Sequence, residues 1–477
     1  MTKFTSTSAE AMPRYITSFE ASNRYRAAVH GLIPGGAHTY SKGDDQYPAL
    51  SPAAIARGKG GRVWDLDGNE YVDVGLGLGA VSLGHAYEPV LTAVRDQLAA
   101  GSAFQRPAAI ELEFAREFAE AIPGAERVKF AKNGSAVTTA AVKLARAFTG
   151  RPLVAFPGNH PFYSYDDWFV GSTLCDSGIP DEVKALSVVY DSTRPESLER
   201  LFSQYPDQIA CVITEPEDAI LQSPDIISEV GRIARRGGAV FVLDEMVTGY
   251  RSDFPGAGAM YGVEADLSTW GKTIGNGFSF AALTGRADIM DLGGIKQRVA
   301  PRVFLISTTH GGEAHAIAAA RATLYEYQSK DVVGHQRRMV KLAADGMARA
   351  VDAHGLEDSL RIHSSPWRII AVCKDQSGAV APTFRALLIQ EMVGRGVLFP
   401  GYFLPCFEHT EADIAHFVRA FAASVEVYSQ ALKLGTDELL VGEGSRPVFR
   451  RYNGCSVQCP TFPCPLEDSC RKPVDRS

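Results

Sequence analysis

The chain predicts an α/β fold built from successive strand–helix–strand turns of one sheet. Two apolar runs, Ile209-Ala-Cys-Val-Ile213-Thr214 and Val240-Phe-Val-Leu243, read as buried strands, and each delivers a carboxylate at its end, Glu215 and Asp244. Glu215 lies 29 residues before Asp244, and Asp244 lies 28 before Lys272, a spacing that fits one helix between neighbouring strands. The third observation is such a helix, Ile227 to Arg236, stopped by Gly237-Gly238 in the C-cap role. Open α/β sheets bind ligands at the C-terminal strand edge, so an acid and an amine presented from adjacent strand ends mark the candidate site. Gly271, Gly275 and Gly277 around Lys272 indicate tight backbone, where a bulky cofactor can approach the amine.

Composition narrows the possible functions. The 477 residues allow one large domain and a smaller one, and 45% hydrophobic with 22% charged residues is ordinary for a globular chain. A net charge of -7 offers no basic surface for nucleic acid or anionic membrane. The N-terminus lacks an apolar signal core and no run of about 18 apolar residues occurs, so the expected location is the cytoplasm. Cys455, Cys459, Cys464 and Cys470 crowd the C-terminal tail without the paired spacing of a zinc ribbon, and no metal site is expected there.

In chain order, residues 1 to about 30 read as an arm and a helix, and Ile33 to Asp45 as a glycine-rich loop that carries Lys42. Asp65 to Asp73, with Asp67-Gly68-Asn69 at its centre, signals a hairpin. Gly75 to His85 is glycine-rich but lacks the Gly-x-Gly-x-x-Gly spacing of a dinucleotide site. Val128 to Thr139 reads as strand, glycine turn and helix start; Ala141, Leu144, Ala145 and Phe148 set the helical period and place its beginning at about Ala136 to Thr138. Such a start is an anion site, here formed by Gly134, Ser135 and Ala136. Asn159 to Trp168 is an aromatic loop, and aromatic faces suit a heteroaromatic ring. Val303 to Ser307 reads as a strand running into a polar turn with Thr309 and His310, followed by an alanine-rich helix to about Tyr327. Beyond Leu324 come a strand at Arg368 to Cys373, a helix from Pro382 to Gly394, a short strand after Gly396, and a helix capped by Thr410.

Leu243-Asp-Glu-Met-Val-Thr-Gly-Tyr-Arg251 with Trp270-Gly-Lys-Thr-Ile-Gly-Asn-Gly277 resembles the cofactor core of the class III pyridoxal-phosphate aminotransferases, most closely the branch with glutamate-1-semialdehyde aminomutase. The similarity runs from roughly Ile33 to Leu432. It implies fold type I: a large domain with a mainly parallel mixed sheet flanked by helices, and a smaller α+β domain from both ends of the chain. The implied division is 1–65, 66–322 and 323–435, with a Cys-rich tail at 436–477. Lys272 becomes the covalent anchor of pyridoxal 5′-phosphate and the acid/base, and Asp244 the partner of the pyridine nitrogen. Gly134, Ser135 and Ala136 match the phosphate loop, although Ala136 replaces the usual acid. Counting back from Asp167-Trp168, Phe162 stacks on the ring, with Tyr163 as the alternative; Met246 packs on the opposite face and Glu215 organises the pocket floor. Thr309 reaches the phosphate of a neighbouring subunit, which implies a homodimer with shared sites. Lys42 takes the place of the cation that receives the substrate carboxylate, and Leu78 the place of an aminomutase tryptophan. Pro400-Gly401-Tyr402 stand where that enzyme carries Phe-Glu-Ala.

These readings favour transfer of an amino group from an amino-acid donor such as glutamate to a ketone or aldehyde, sugar-like or from secondary metabolism. The intramolecular 2,1-aminomutase is the alternative, and a non-catalytic protein on the same fold the third possibility.

Overall fold

Alternation along the two apolar runs decides how the central sheet is covered. Cys211, Ile213, Val240 and Val242 pack on one face against Val137, Ala141 and Leu144 of the helix Gly134–Thr149. Val212, Phe241 and Leu243 point the other way, onto Ile227, Val230 and Ile233 of the helix Pro224–Arg236. Two-sided burial is why these strands are continuously apolar, each such side chain contributing about 1.5–3 kcal/mol. The computed structural model describes residues 15–158, 162–217, 224–296, 301–453 and 455.

Among these residues the sheet has seven strands, in the order Arg127–Ala131, Ala281–Gly285, Leu267–Trp270, Val240–Asp244, Ile209–Thr214, Leu153–Pro157 and Ser187–Tyr190. The last five run parallel, and Ala281–Gly285 is antiparallel to both its neighbours. The expected mainly parallel mixed sheet is therefore present. The parallel strands end on one edge, where Glu215, Asp244 and the turn after Trp270 sit side by side.

A second body is assembled from both ends of the chain. Ile55–Lys59, Arg62–Asp65 and Glu70–Asp73 form an antiparallel meander, and Val397–Leu398 adds to Glu70–Asp73 in parallel. The hairpin turn holds because the Asp65 carboxylate accepts from Asp67 N at 2.9 Å and Asn69 N at 2.8 Å. Three further strands, Leu360–Ser365, Arg368–Cys373 and Tyr402–Phe403, pair antiparallel. The helices Val332–Asp352, Pro382–Gly394 and Glu411–Leu434 share one core with them. Thr410 caps the last helix reciprocally with Asp413, as its position in the sequence suggests.

Two elements depart from the expectation. Residues 303–307 form no strand: Val303 and Leu305 are buried, but Phe304 between them is exposed and no ladder pairs the segment. The helix expected from Ala136 starts at Gly134, because the Asn133 side chain accepts from Ala136 N at 3.0 Å and caps it two residues earlier. The cysteines after Cys455 lie outside the described residues; among those described, no cluster of His, Cys, Asp or Glu could hold a metal ion. No described helix is long and apolar enough to cross a membrane.

One buried acid ties the strand exit to the following helix. Glu245 accepts from Gly258 N at 2.6 Å, from Ala257 N at 3.1 Å and from the Thr248 hydroxyl, and burial pushes its carboxyl up to about 7. A raised acid binds its proton in the folded state first, so it costs stability as pH climbs from the ordinary value of 4.5 through about 7. Glu245→Gln removes that titration. The stability of the variant relative to wild type should rise between about pH 5 and pH 8, on the order of 2 kcal/mol. Urea midpoints measured across that range check it; a constant difference would show that Glu245 does not titrate there.

Candidate functional site

Parallel pairing of Val240–Asp244 with Leu267–Trp270 sets Asp244 opposite Thr269. The Thr269 hydroxyl donates to the Asp244 carboxylate at 2.7 Å and Met246 N donates to the same oxygen at 3.0 Å, so the acid is fixed although only 2% exposed. Three residues after Thr269 the chain turns through Lys272, whose φ of 45° is a left-handed conformation uncommon for a side-chain-bearing residue. Burial pulls the Lys272 ammonium below the ordinary lysine range; the carboxylates of Glu215 and Asp244 oppose this and Arg251 adds to it.

Three loops meet at Met246. A Cβ on Gly271 would stand 2.4 Å from its sulfur and one on Gly134 would stand 2.9 Å from its terminal methyl. A side chain at either glycine would displace the end of Met246, which joins the helix start at Gly134 to the lysine turn. The first turn of that helix is braced from behind by the aromatic loop. Ser135 Oγ accepts from Tyr165 N at 3.0 Å, Thr138 Oγ1 donates to Tyr163 O at 3.0 Å, and Thr139 Oγ1 bonds Asp166 at 2.5 Å while accepting from Trp168 Nε1 at 2.8 Å. These threonines and Asn133 brace a loop whose usual acid is replaced by Ala136.

The two aromatic candidates separate. Tyr163 is 2% exposed, lies among Phe156 and Phe169, and its hydroxyl accepts from Glu215 N at 3.3 Å, so its ring belongs to the core. Phe162 is 48% exposed and meets Phe169 edge-on. Thr309 is exposed on its loop, away from the described contacts of the sheet edge. His310 beside it pairs with Glu313 at 3.3 Å, and Lys132, next to the phosphate-loop asparagine, pairs with the same acid.

Lys42, Leu78, Pro400 and Tyr402 do come together. They line one cavity of about 530 Å³ with Asp73, Tyr47 and His85. Lys272 and Asp244 are not among its lining residues, but the two regions are coupled through Arg251, a fully buried residue whose importance the sequence did not signal beyond its place in the motif. Its guanidinium donates to Gly79 O in the turn that carries Leu78, to Thr273 Oγ1 in the lysine turn at 2.5 Å, and to Val247 O at 3.0 Å. Asn276 adds a second tie, its side-chain oxygen accepting from Ser82 N at 3.0 Å and Leu83 N at 2.9 Å.

A ligand with an anionic end, an amine-reactive centre and a basic ring nitrogen fits this arrangement: a helix N-terminus, a lysine with depressed basicity and a fixed buried carboxylate face one strand edge. That set and this fold define a fold-type I pyridoxal-phosphate protein. The class III aminotransferase family matches residues 43–176 and 178–419, and the chain belongs to it. A glutamate-1-semialdehyde 2,1-aminomutase from Anaeromyxobacter sp. (strain Fw109-5) is 32% identical over 437 residues, covering 87% of this chain and 99% of that protein. The enzyme of that name from Persephonella marina is 33% identical over 293 residues, covering 59% of this chain and 66% of that protein, just under two thirds of its length. The solved structure of the Sphingopyxis sp. MTA144 FumI protein with PLP superposes with a TM-score of 0.76 at 24% identity, covering 86% of this chain and 96% of that one. Pyridoxal 5′-phosphate is the cofactor of this family.

The Met246 contact makes a steric prediction. Gly271→Ala should destabilise the protein by about 1–3 kcal/mol and weaken pyridoxal-phosphate binding, and the loss on adding Met246→Ala to it should be clearly smaller than the sum of the two single losses. Thermal unfolding and cofactor titration of the single and double variants test it; additive losses would show that the two residues do not clash.

Proposed function

We propose that the protein is an aminotransferase that moves an amino group from an amino-acid donor, with glutamate the first candidate, to a small ketone or aldehyde. The observation that carries this reading is the pair Asp244 and Lys272 on adjacent parallel strand ends, the acid fixed by Thr269 and the amine depressed by burial. When bound, pyridoxal phosphate supplies an aldehyde that captures the amine and a ring that accepts electrons from the substrate Cα. Lys272 anchors the cofactor through Nζ, and once displaced by substrate it moves the proton from Cα. Its lowered basicity leaves more of the amine neutral and ready for both tasks. Asp244 holds a proton on the pyridine nitrogen, while Gly134, Ser135 and Ala136 receive the phosphate, Phe162 and Met246 flank the ring and Glu215 shapes its floor. Lys42 receives a substrate carboxylate in the cavity that Leu78 also borders.

Transfer between two molecules is preferred because Leu78, Pro400 and Tyr402 line the substrate cavity in place of the aminomutase-type residues. Tyr47, Asp73, His85 and Tyr402 give that cavity hydrogen-bonding groups suited to a polar, sugar-like acceptor. The intramolecular 2,1-aminomutase is the second reading, favoured by the names of the relatives. A cytoplasmic homodimer completes the proposal, with exposed Thr309 reaching the neighbouring subunit's phosphate site and the product serving biosynthesis.

Two expectations test it. Lys272→Ala should abolish the visible band of the lysine-bound cofactor and lower turnover about 10³-fold or more, whereas Asp244→Asn should keep the cofactor and lose roughly 100-fold in rate; an active Lys272→Ala protein would remove the proposal. Addition of L-glutamate, then other amino acids, to the loaded protein without acceptor should convert the cofactor to its aminated form. Turnover of one amino-aldehyde with no separate donor would instead establish the mutase.

A further inference from the structure

The segment after the last helix, Thr436 onward, lies beyond the family match that ends at residue 419, yet it is built into the protein. It leaves the small body clamped by Gln390, whose side chain donates to Leu439 O at 2.9 Å and accepts from Val441 N at 2.9 Å. Gly442 has a φ of 87° and a Cβ there would meet Ala49 at 2.9 Å, so the segment turns closely against the loop below Lys42. Four contacts then follow within six residues. Ser445 Oγ accepts from Arg385 Nη1 at 2.8 Å, and the same guanidinium donates through Nη2 to Pro400 O at 2.7 Å, on the cavity wall. Arg446 N donates to Asp45 O at 3.0 Å and Arg450 Nη1 pairs with the Asp45 carboxylate at 2.6 Å, three residues beyond Lys42. Phe449 meets Phe169 edge-on at 6.2 Å, and Phe169 in turn backs Phe162 at 5.8 Å.

We propose that residues 445–450 are a strap that braces the active-site wall from behind, with Arg450 a positioning residue that holds the Asp45 loop and so sets where Lys42 meets the substrate. The strap bonds the loop that carries Lys42 directly and reaches Pro400–Tyr402 through Arg385 and Phe162 through Phe169, segments that come from distant parts of the chain and share no strand pairing. Arg450 and Asp45 have side chains 16% and 30% exposed, so their pair is better shielded from solvent than a surface ion pair. Phe449 acts on the cofactor side through the Phe169–Phe162 stack and Arg450 on the substrate side. The assignment of Lys42 and Phe162 rests on the function proposed above; the attachment of the loops to the strap does not.

The experiment separates the two. In the full-length, cofactor-free protein, hydrogen exchange of amides 43–47 should quicken about 3- to 10-fold in Arg450→Ala and in Asp45→Ala, with no further gain in the double variant and recovery in Arg450→Lys. In the loaded protein, Arg450→Ala should raise the half-saturating L-glutamate concentration of the half-reaction by a similar factor while the limiting rate stays within about twofold. Unchanged exchange in both single variants would overturn the strap. Quickened exchange with no change in the half-saturating concentration would overturn the positioning role of Arg450, and quickened exchange in a protein that never forms the lysine-bound cofactor would overturn the function proposed above and leave the strap standing.

Discussion

The site depends on Met246 filling the space between two glycines. Its thioether lies where side chains on Gly134 and Gly271 would stand, so the helix start, the strand exit and the lysine turn are packed against a single flexible side chain. A methionine suits that place because it adapts to an irregular gap. With the gap filled, the helix N-terminus and Lys272 are held at a fixed separation before any cofactor arrives. Preorganisation of this kind is what lets binding and chemistry proceed without rebuilding the backbone.

Around that contact the electrostatics are arranged in layers. Asp244 accepts from two donors, Thr269 and the backbone of Met246, whereas the burial that lowers the Lys272 ammonium is only partly compensated by Glu215 and Asp244. Arg251 adds a buried positive group that donates to backbone oxygens and Thr273 rather than to an acid. Its effect on Lys272 is therefore repulsive, and its bonds to Gly79 and Thr273 make the substrate turn and the lysine turn move as one.

The chemistry-bearing centre was legible because its residues sit where strands end. Apolar runs, a carboxylate after each, and glycines around a lysine are local signals, and the parallel sheet turns them into neighbours. The brace of the phosphate loop was not legible, since Thr138, Thr139 and Ser135 act on partners about 25 to 30 residues away and such pairs leave no period in the sequence. The strand read at 303–307 failed for a related reason: Val303 and Leu305 alternate with exposed Phe304, which satisfies a strand pattern, but no neighbouring strand is placed to bond them. Tyr163 and Phe162 are indistinguishable by composition; burial, ring contacts and the hydroxyl contact to Glu215 show which ring is committed to the core.

Cofactor chemistry and substrate choice are written in different parts of this chain. Lys272, Asp244 and Gly134 are fixed by the sheet and its first helix, whose geometry tolerates little change. Lys42, Leu78 and Tyr402 line the cavity from a loop, a turn with left-handed φ at Leu78 and a two-residue strand, and the C-terminal strap bonds the first of these regions and reaches the last through Arg385. Family membership, which follows the first set, therefore carries the cofactor across to this protein far more securely than it carries an acceptor. In the contacts described, Arg251 and Asn276 tie the second set to the lysine turn. The acceptor is thus to be read from the cavity and its strap rather than from the relatives' names.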